Sequence, residues 1–422
     1  MWEKLATSEL LSTFFTTWLW QGREWRKGRI PKYDPYYWGN AHAHPVVSTY
    51  YPFAIISSAL CSSKKMLLDR AYCCFIALFT SHIIFGFASW FWLFNSFSDP
   101  MPSLFGALTI TFGAYSLKQQ PCIIYTLTWF PLTLVTSNVI ATIAVAMVLT
   151  GGYYPFAVYL LSCSAIVRML WFGDIPMVIL TFGLGCVMAL PQLVPFLKHL
   201  PKTIKRLNDK CEETPEVERW FYVGVIPLIL IPFSTSRVWP LILVSAIFAL
   251  GFMRRFFPRV HERWLIVTQF GIGWASVSAL NNLNLSTIQL VVLLGVHAFD
   301  LYWHNRECLP PRPYCELWQR PSRAFNTKLT RFLEQNLGDY KVSGLPWPLF
   351  TGHINKLKTI GYCGSMQTKE MWSWRKSFNH DPFIDGVDKD ELTRRGVLFA
   401  YSRKTLDWPR TVIPNLYRNP NL

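Results

Sequence analysis

Charge is scarce in this sequence, and negative charge is the scarcer kind. Only 16% of the 422 residues are charged, whereas 51% are hydrophobic and 16% are aromatic. Soluble domains carry roughly 25% charged residues, so the composition argues against an ordinary soluble protein. The net charge is +16, but the basic residues stand in short connections between apolar blocks. That placement is typical of cytoplasmic loops or of contact with anionic headgroups, and it predicts no nucleic-acid partner.

Several motifs of familiar chemistry are also missing. The chain has no Walker motif, no HExxH and no GxSxG, which excludes soluble nucleotide-using, zinc-protease and serine-hydrolase chemistries. Its ten cysteines follow no paired spacing, so neither a zinc site nor a disulfide framework is predicted, and we expect no metal. We recognise no signal peptide at the start.

Long apolar runs are what the sequence has in abundance. They are Ala71–Phe94, Ile175–Leu197, Trp220–Phe233, Val238–Met253, Trp264–Leu283 and Ile288–Trp303. Several of them could cross a hydrocarbon core of about 30 Å, and shorter apolar blocks lie between residues 46 and 171. We therefore predict an all-α polytopic membrane protein with about nine to eleven membrane helices.

The chain is predicted to fall into three parts. Residues 1–45 form an amphipathic helix and an extracytoplasmic loop, residues 46–303 a transmembrane bundle, and residues 304–422 a small mixed extramembrane domain. The helix is expected over residues 1–20 and flat on the membrane surface, with Trp18 and Leu19 on its apolar side and Glu9 and Trp20 on the other. The run of prolines from Leu309 to Pro313 indicates the linker to the last part.

The loop GRIPKYDPYYWGNAHAHPVVSTYYPF, residues 28–53, combines prolines, basic residues and aromatic rings. Arg and Lys can neutralise a phosphate and Tyr or Trp rings can stack on sugars, so the loop suits a substrate that is half lipid and half polar phosphate. A carboxylate here could take the proton of an acceptor hydroxyl. The alternatives are an interfacial aromatic belt, an Asp34 that only caps a turn, and a basic run that only binds anionic lipid.

Polar residues inside the apolar blocks also need a role. Arg168 and Asp174 are expected to flank a turn near Gly173 and to reach the interface. Gln192, between Pro191 and Pro195, either faces a cavity at a kinked helix or bonds a freed carbonyl. The segment Gly151–Pro155 is either an ordinary turn or backbone that lines the same cavity.

The order of these motifs resembles that of the YfhO family of bacterial membrane proteins, in the GT-C superfamily of glycosyltransferases. The loop RKGRIPKYDPYYWGNAHAHPVVSTYYPF is similar to the family's KxGxxPxWNPYxxxGxPxxAxxxxxFYP. Further similar elements follow in the family's order: LTGGYYPFAVY, GLGCVMALPQLVPFLKHLPKTIKR, WFYVGVIPLILI, FPRVHERWLIV and GHINKLKTIGY. Relative to the family, the chain is about half as long as many members, the His of the GHP element is replaced in Gly152–Pro155, and the membrane helix before the loop is expected to be missing. A partner protein would then supply that helix.

The resemblance implies a GT-C-like helical bundle, multi-pass in the bacterial cytoplasmic (inner) membrane. The implied activity is transfer of a sugar from an undecaprenyl-phosphate-linked donor to an envelope glycan or lipid, without a further cofactor. The acidic residue of the first outer loop would act as base or position the acceptor. Carried over by position, Glu9 is the first candidate for this residue and Asp34 the second. The implied substrate contacts are Arg29, Lys32, Tyr36, Asn40, His44, Gln192 and Arg206.

Two other functions fit the same sequence features. A non-catalytic membrane protein that binds or moves lipid-linked glycans would keep the basic loop and lack the base. A structural subunit of a membrane complex would need neither carboxylate near a cavity. The position of Glu9 and Asp34 relative to Arg29 and Lys32 distinguishes the three hypotheses.

Overall fold

The computed structural model describes the backbone of most of the chain. The described residues are 16–31, 33–34, 41–42, 49–63, 67–113, 116, 121–152, 154–173, 175–199, 222–235, 245, 264–308, 328–343, 357–360, 389–401 and 406–422. Helices hold 74% of them, and a small mixed sheet accounts for part of the rest. The predicted predominance of helices is confirmed, together with the mixed character of the C-terminal part.

The chain divides into two compact units. The helical unit comprises Leu78–Leu193 and Lys205–Pro311, and the mixed unit comprises Trp2–Ala77, Val194–Ile204 and Arg312–Leu422. The three-part division expected from the sequence stays a prediction.

The N-terminal part of the mixed unit is a helix pair joined by a short strand pair. Helix α1 (Thr16–Arg26) packs on α2 (Pro52–Ser63), and β1 (Tyr33–Asp34) pairs antiparallel with β2 (Ala41–His42) between them. Trp18, Leu19 and Trp20 are all buried. The sequence predicted that Trp20 lies on the exposed side of a surface helix. This prediction is wrong, because α1 packs against α2 and buries residues on both of its predicted sides.

The C-terminal part of the mixed unit is a four-stranded sheet covered by helices. The helices are α13 (Lys328–Asn336) and α14 (Lys389–Arg394), and the strands are β3 (Lys341–Ser343), β4 (Thr359–Ile360), β5 (Val397–Tyr401) and β6 (Leu416–Arg418). The order is β4-β3-β5-β6, with β3 parallel to both neighbours and β6 antiparallel to β5. The central strand β5 is buried from Val397 to Ala400, and its side chains belong to two apolar clusters.

The helical unit is built from the apolar blocks. Its helices are α3 (Leu67–Phe97, which begins in the mixed unit), α4 (Pro100–Phe112), α5 (Pro121–Trp129) with the 3₁₀ segment Phe130–Leu134, α6 (Asn138–Thr150), α7 (Tyr154–Phe172), α8 (Ile175–Met188), α9 (Leu190–His199, which ends in the mixed unit), α10 (Val225–Leu230) with the 3₁₀ segment Ile231–Phe233, α11 (Trp264–Asn282) and α12 (Thr287–Cys308). Helices α4 and α11 meet at paired glycines: a Cβ on Gly106 would lie 2.8 Å from the carbonyl oxygen of Gly273. Such small-residue contacts let two helix backbones approach closely.

Two apolar blocks do not form one straight helix, and in the first of them a kink near Gln192 was expected from its prolines. Block Ile175–Leu197 is broken into α8 and α9, which meet at an angle of 76°, because Pro191 has no N–H to continue the helical bonding. In block Trp220–Phe233, the described residues 222–233 hold the six-residue α10 and a 3₁₀ turn. No single helix of the described part combines the length and hydropathy of a membrane span, although the bent pair α8–α9 does so jointly.

Candidate functional site

The proline-rich loop begins and ends on a fixed helix pair. Gln21 of α1 donates from Nε2 to Thr49 Oγ1 at 2.9 Å in a buried contact, and Trp25 lies edge-on to Tyr50. Inside the loop, Asp34 lies opposite Ala41 and Tyr33 opposite His42. The backbone of Asp34, the second candidate, therefore belongs to a short antiparallel ladder, and both ends of the loop are held by α1 and α2.

Arg29, an expected phosphate contact, is bound to a carboxylate in the structure. Its Nε and Nη2 lie 2.8 and 2.9 Å from the two carboxylate oxygens of Glu24, and Lys27 Nζ lies 3.7 Å from one of them. Such a two-point guanidinium–carboxylate contact also fixes orientation. To bind a substrate phosphate, Arg29 must either release Glu24 or contact Glu24 and the phosphate at the same time.

Most other predicted site residues lie outside the part of the chain that the structure describes. These are Glu9, Lys32, Tyr36, Asn40, His44 and Arg206. Their assignment stays a prediction.

Gln192 lies at the break between α8 and α9 and is buried, with 3% of its surface exposed. Its carbonyl oxygen accepts a hydrogen bond of 3.1 Å from the hydroxyl of Tyr154. Tyr154 opens α7 directly after the turn at Gly151 and Gly152. The two irregular elements that the sequence singles out therefore meet, and the tyrosine donates to a carbonyl beside the break between α8 and α9.

Arg168 does not reach an interface, and that expectation is wrong. The side chain is buried, with 2% exposed, and it donates to the carbonyl of Thr133 at 3.3 Å, to the carbonyl of Val135, and to Asn138 Oδ1 at 2.6 Å. Those groups lie at the end of a 3₁₀ segment and the start of α6, where backbone carbonyls lack helical partners. Arg168 thus ties α7 to that junction, whereas the expected turn at Gly173 is present with φ +67°.

A polar network that the sequence analysis missed lies on α12. The carboxylate of Asp300 accepts from the Tyr222 hydroxyl at 2.5 Å and from the backbone N–H of Val225 at 2.9 Å. His304 Nδ1 lies 3.0 Å from Asp300 Oδ1, and the imidazole stacks on the Tyr222 ring with centroids 4.4 Å apart. Asp300 thereby holds the segment before α10 and the ring of His304 in one arrangement.

One turn earlier, the same side of α12 carries a fully buried histidine. His297 Nε2 lies 2.9 Å from Thr109 Oγ1, and its ring stacks on Phe105 at 4.2 Å. Gly224, with φ +94°, fits against this ring, because a Cβ there would lie 2.7 Å from His297 Cε1. A signal for this network was present: the spacing H-x-x-D-x-x-x-H places three ionisable residues within an apolar block, where such residues need a function or a partner.

No group of three His, Cys, Asp or Glu side chains converges on a metal site within the described ranges. No protein-family model matches the chain, and no curated protein matches it.

Proposed function

We propose that this chain is an integral membrane glycosyltransferase of GT-C type, which moves a sugar from a polyprenyl-phosphate donor to an envelope glycan or lipid in the bacterial inner membrane. The observation that carries the proposal is the surface of α12. Its outward side is aliphatic and aromatic, with Ile288 78%, Val296 54% and Phe299 62% exposed, while His297 and Asn305 on its inward side are buried. A helix with an apolar outward side and a polar inward side is favoured in lipid and disfavoured in water.

The dimensions of α12 agree with this proposal. Its 22 residues give a length of about 33 Å, against about 30 Å for the hydrocarbon core. Its hydropathy is lowered in part by the buried His297 and Asn305, which bond to Thr109 Oγ1 and to the carbonyl of Phe112. Helix α8 has a similar surface, with Ile179, Leu184 and Val187 about half exposed or more.

The glycosyltransferase part of the proposal depends on the loop between α1 and α2. Asp34 lies in a short strand pair, next to aromatic and basic sequence, on a segment whose two ends are pinned to one helix pair. A carboxylate at this position could orient an acceptor hydroxyl for the reaction. The order of sequence elements shared with the YfhO family supports the same reaction.

The test is sugar transfer by the purified protein in proteoliposomes. Radiolabelled undecaprenyl-phosphate sugars serve as donors and membrane glycolipids as acceptors, and the wild type is compared with Asp34→Asn and Glu9→Gln. Ala41→Ser, on the strand opposite Asp34, is the matched control and should transfer at the wild-type rate. Loss of transfer in one carboxylate variant, with folding retained, supports the proposal and identifies the carboxylate; full activity in both removes both from the mechanism.

A second candidate is a non-catalytic protein that binds or moves lipid-linked glycans. The contact between Arg29 and Glu24 does not separate the two candidates, because both would use Arg29 to bind the lipid phosphate. Donor binding without transfer by the wild type would support this candidate.

A further inference from the structure

We infer that His304 is a general base, oriented by Asp300, that takes the proton of a hydroxyl substrate at the end of α12. The inference rests on the proposed function for the identity of the substrate, a glycan or lipid hydroxyl. The orientation of the histidine rests on the geometry alone.

The contacts of His304 determine its tautomer. Nδ1 lies 3.1 Å from the carbonyl oxygen of Asp300 and 3.0 Å from Asp300 Oδ1. Both oxygens are acceptors, so Nδ1 must carry a hydrogen. In the neutral imidazole the lone pair is then on Nε2, and no described residue forms a hydrogen bond to that atom.

The carboxylate that orients the ring is itself fixed in place. Tyr222 and the backbone N–H of Val225 donate to Asp300 at 2.5 and 2.9 Å. One face of the imidazole is covered by Tyr222, yet half of the His304 side chain stays exposed. Histidine acts as a base in arrangements where a carboxylate accepts the hydrogen of Nδ1 and Nε2 stays accessible.

The surroundings of His304 suit an amphiphilic substrate. Phe299, Tyr302 and Trp303 on the same helix are 62%, 67% and 46% exposed. Aromatic rings near the end of a lipid-facing helix mark the depth of the headgroups. A hydroxyl of a glycan or headgroup would therefore approach Nε2 from the polar side of this belt.

The step that follows balances as a group transfer. The acceptor oxygen forms a bond to the anomeric carbon of the donor as the bond from that carbon to the lipid phosphate breaks, and the phosphate leaves with the electron pair. The acceptor proton moves to His304 Nε2, and the Asp300 carboxylate stabilises the resulting imidazolium. The proton then passes to water or to the leaving phosphate.

The experiment compares His304→Asn, His304→Gln and Asp300→Asn with the wild type, and Val292→Ala, at an exposed position of the same helix, is the control. Asparagine can still donate to Asp300 from a position near that of Nδ1, but it has no basic nitrogen. If His304 is the base, His304→Asn and His304→Gln lower kcat by about 10²–10⁴-fold with a smaller change in KM. Asp300→Asn should also lower kcat, and Val292→Ala should leave it unchanged.

A purely structural role predicts a different result, namely that His304→Asn keeps wild-type kcat, and this outcome overturns the inference. The second readout needs no activity: ¹⁵N spectra of histidine-labelled protein, assigned with His304→Asn, give the tautomer of His304. An Nε2–H tautomer overturns the inference even if the protein transfers sugar. If the wild type transfers no sugar, the proposed function and the catalytic role fail together, whereas an Nδ1–H tautomer still supports the orientation by Asp300.

Discussion

Replacing Gly224 with alanine should destabilise the helical unit and disturb the α12 network. Gly224 has φ +94° and ψ 151°, a region that is essentially restricted to glycine and costs other residues about 1–3 kcal/mol. The new Cβ would also lie 2.7 Å from His297 Cε1 and 2.9 Å from Nδ1, and overpacking of this kind costs about 1–3 kcal/mol. The sum is a loss of about 2–6 kcal/mol in the free energy of unfolding.

The chain offers a matched control for this change. Gly295 lies on α12 two residues before His297, and a Cβ there would have no atom within 4 Å. Gly295→Ala should therefore be neutral or stabilise the helix by up to about 1 kcal/mol. Both variants would be unfolded by SDS in mixed micelles and followed by circular dichroism. Equal free energies of unfolding for the two variants would refute the close contact between Gly224 and His297.

Two further predictions concern other charged groups. Arg168→Met should lower the free energy of unfolding by about 1–3 kcal/mol, because the carbonyl of Val135 loses the donor that Arg168 supplies, whereas the carbonyl of Thr133 and the amide oxygen of Asn138 keep contacts with Ser164 Oγ and Thr181 Oγ1. In the same assay the exposed Leu170→Met is the control, and equal stability would contradict the buried contact. In the mixed unit, Lys358 Nζ lies 2.8 Å from Asp339 Oδ1 and holds the pKa of that carboxyl below its ordinary 3.8. This contact therefore stabilises the fold above pH 3.8 and is lost as the pH falls through the lowered pKa. Lys358→Met should raise the pKa of Asp339 in an NMR titration, and an unchanged titration would rule the contact out.

Apolar runs predicted helix positions well where a run holds no residue that breaks a helix. Ile288–Trp303 lies within α12 and Trp264–Leu283 nearly coincides with α11. The prediction failed at Trp220–Phe233, because Gly224 takes a backbone conformation closed to other residues and Pro232 stops regular helix after α10. Hydropathy registers how apolar a run is, and it does not register such local backbone constraints.

The candidate sites were less predictable, because their partners are far apart in the chain. Thr109 lies 188 residues from His297, and Tyr222 lies 78 residues from Asp300. Spacing can identify ionisable residues within an apolar block, but it cannot show which distant group will meet them. Arg168 illustrates the same limit: its partners are backbone carbonyls, which leave no mark in the sequence.

The most direct test of the account is whether the apolar outward side of α12 faces lipid. Spin labels would be attached at cysteines that replace Val292 and Val296, which are 59% and 54% exposed, and Val412 of the mixed unit, which is 84% exposed. Power-saturation EPR in proteoliposomes compares access of oxygen, which concentrates in lipid, with access of a water-soluble nickel complex. We predict that labels at Val292 and Val296 are relaxed mainly by oxygen and the label at Val412 mainly by nickel. Nickel access at Val292 and Val296 equal to that at Val412 would contradict the account.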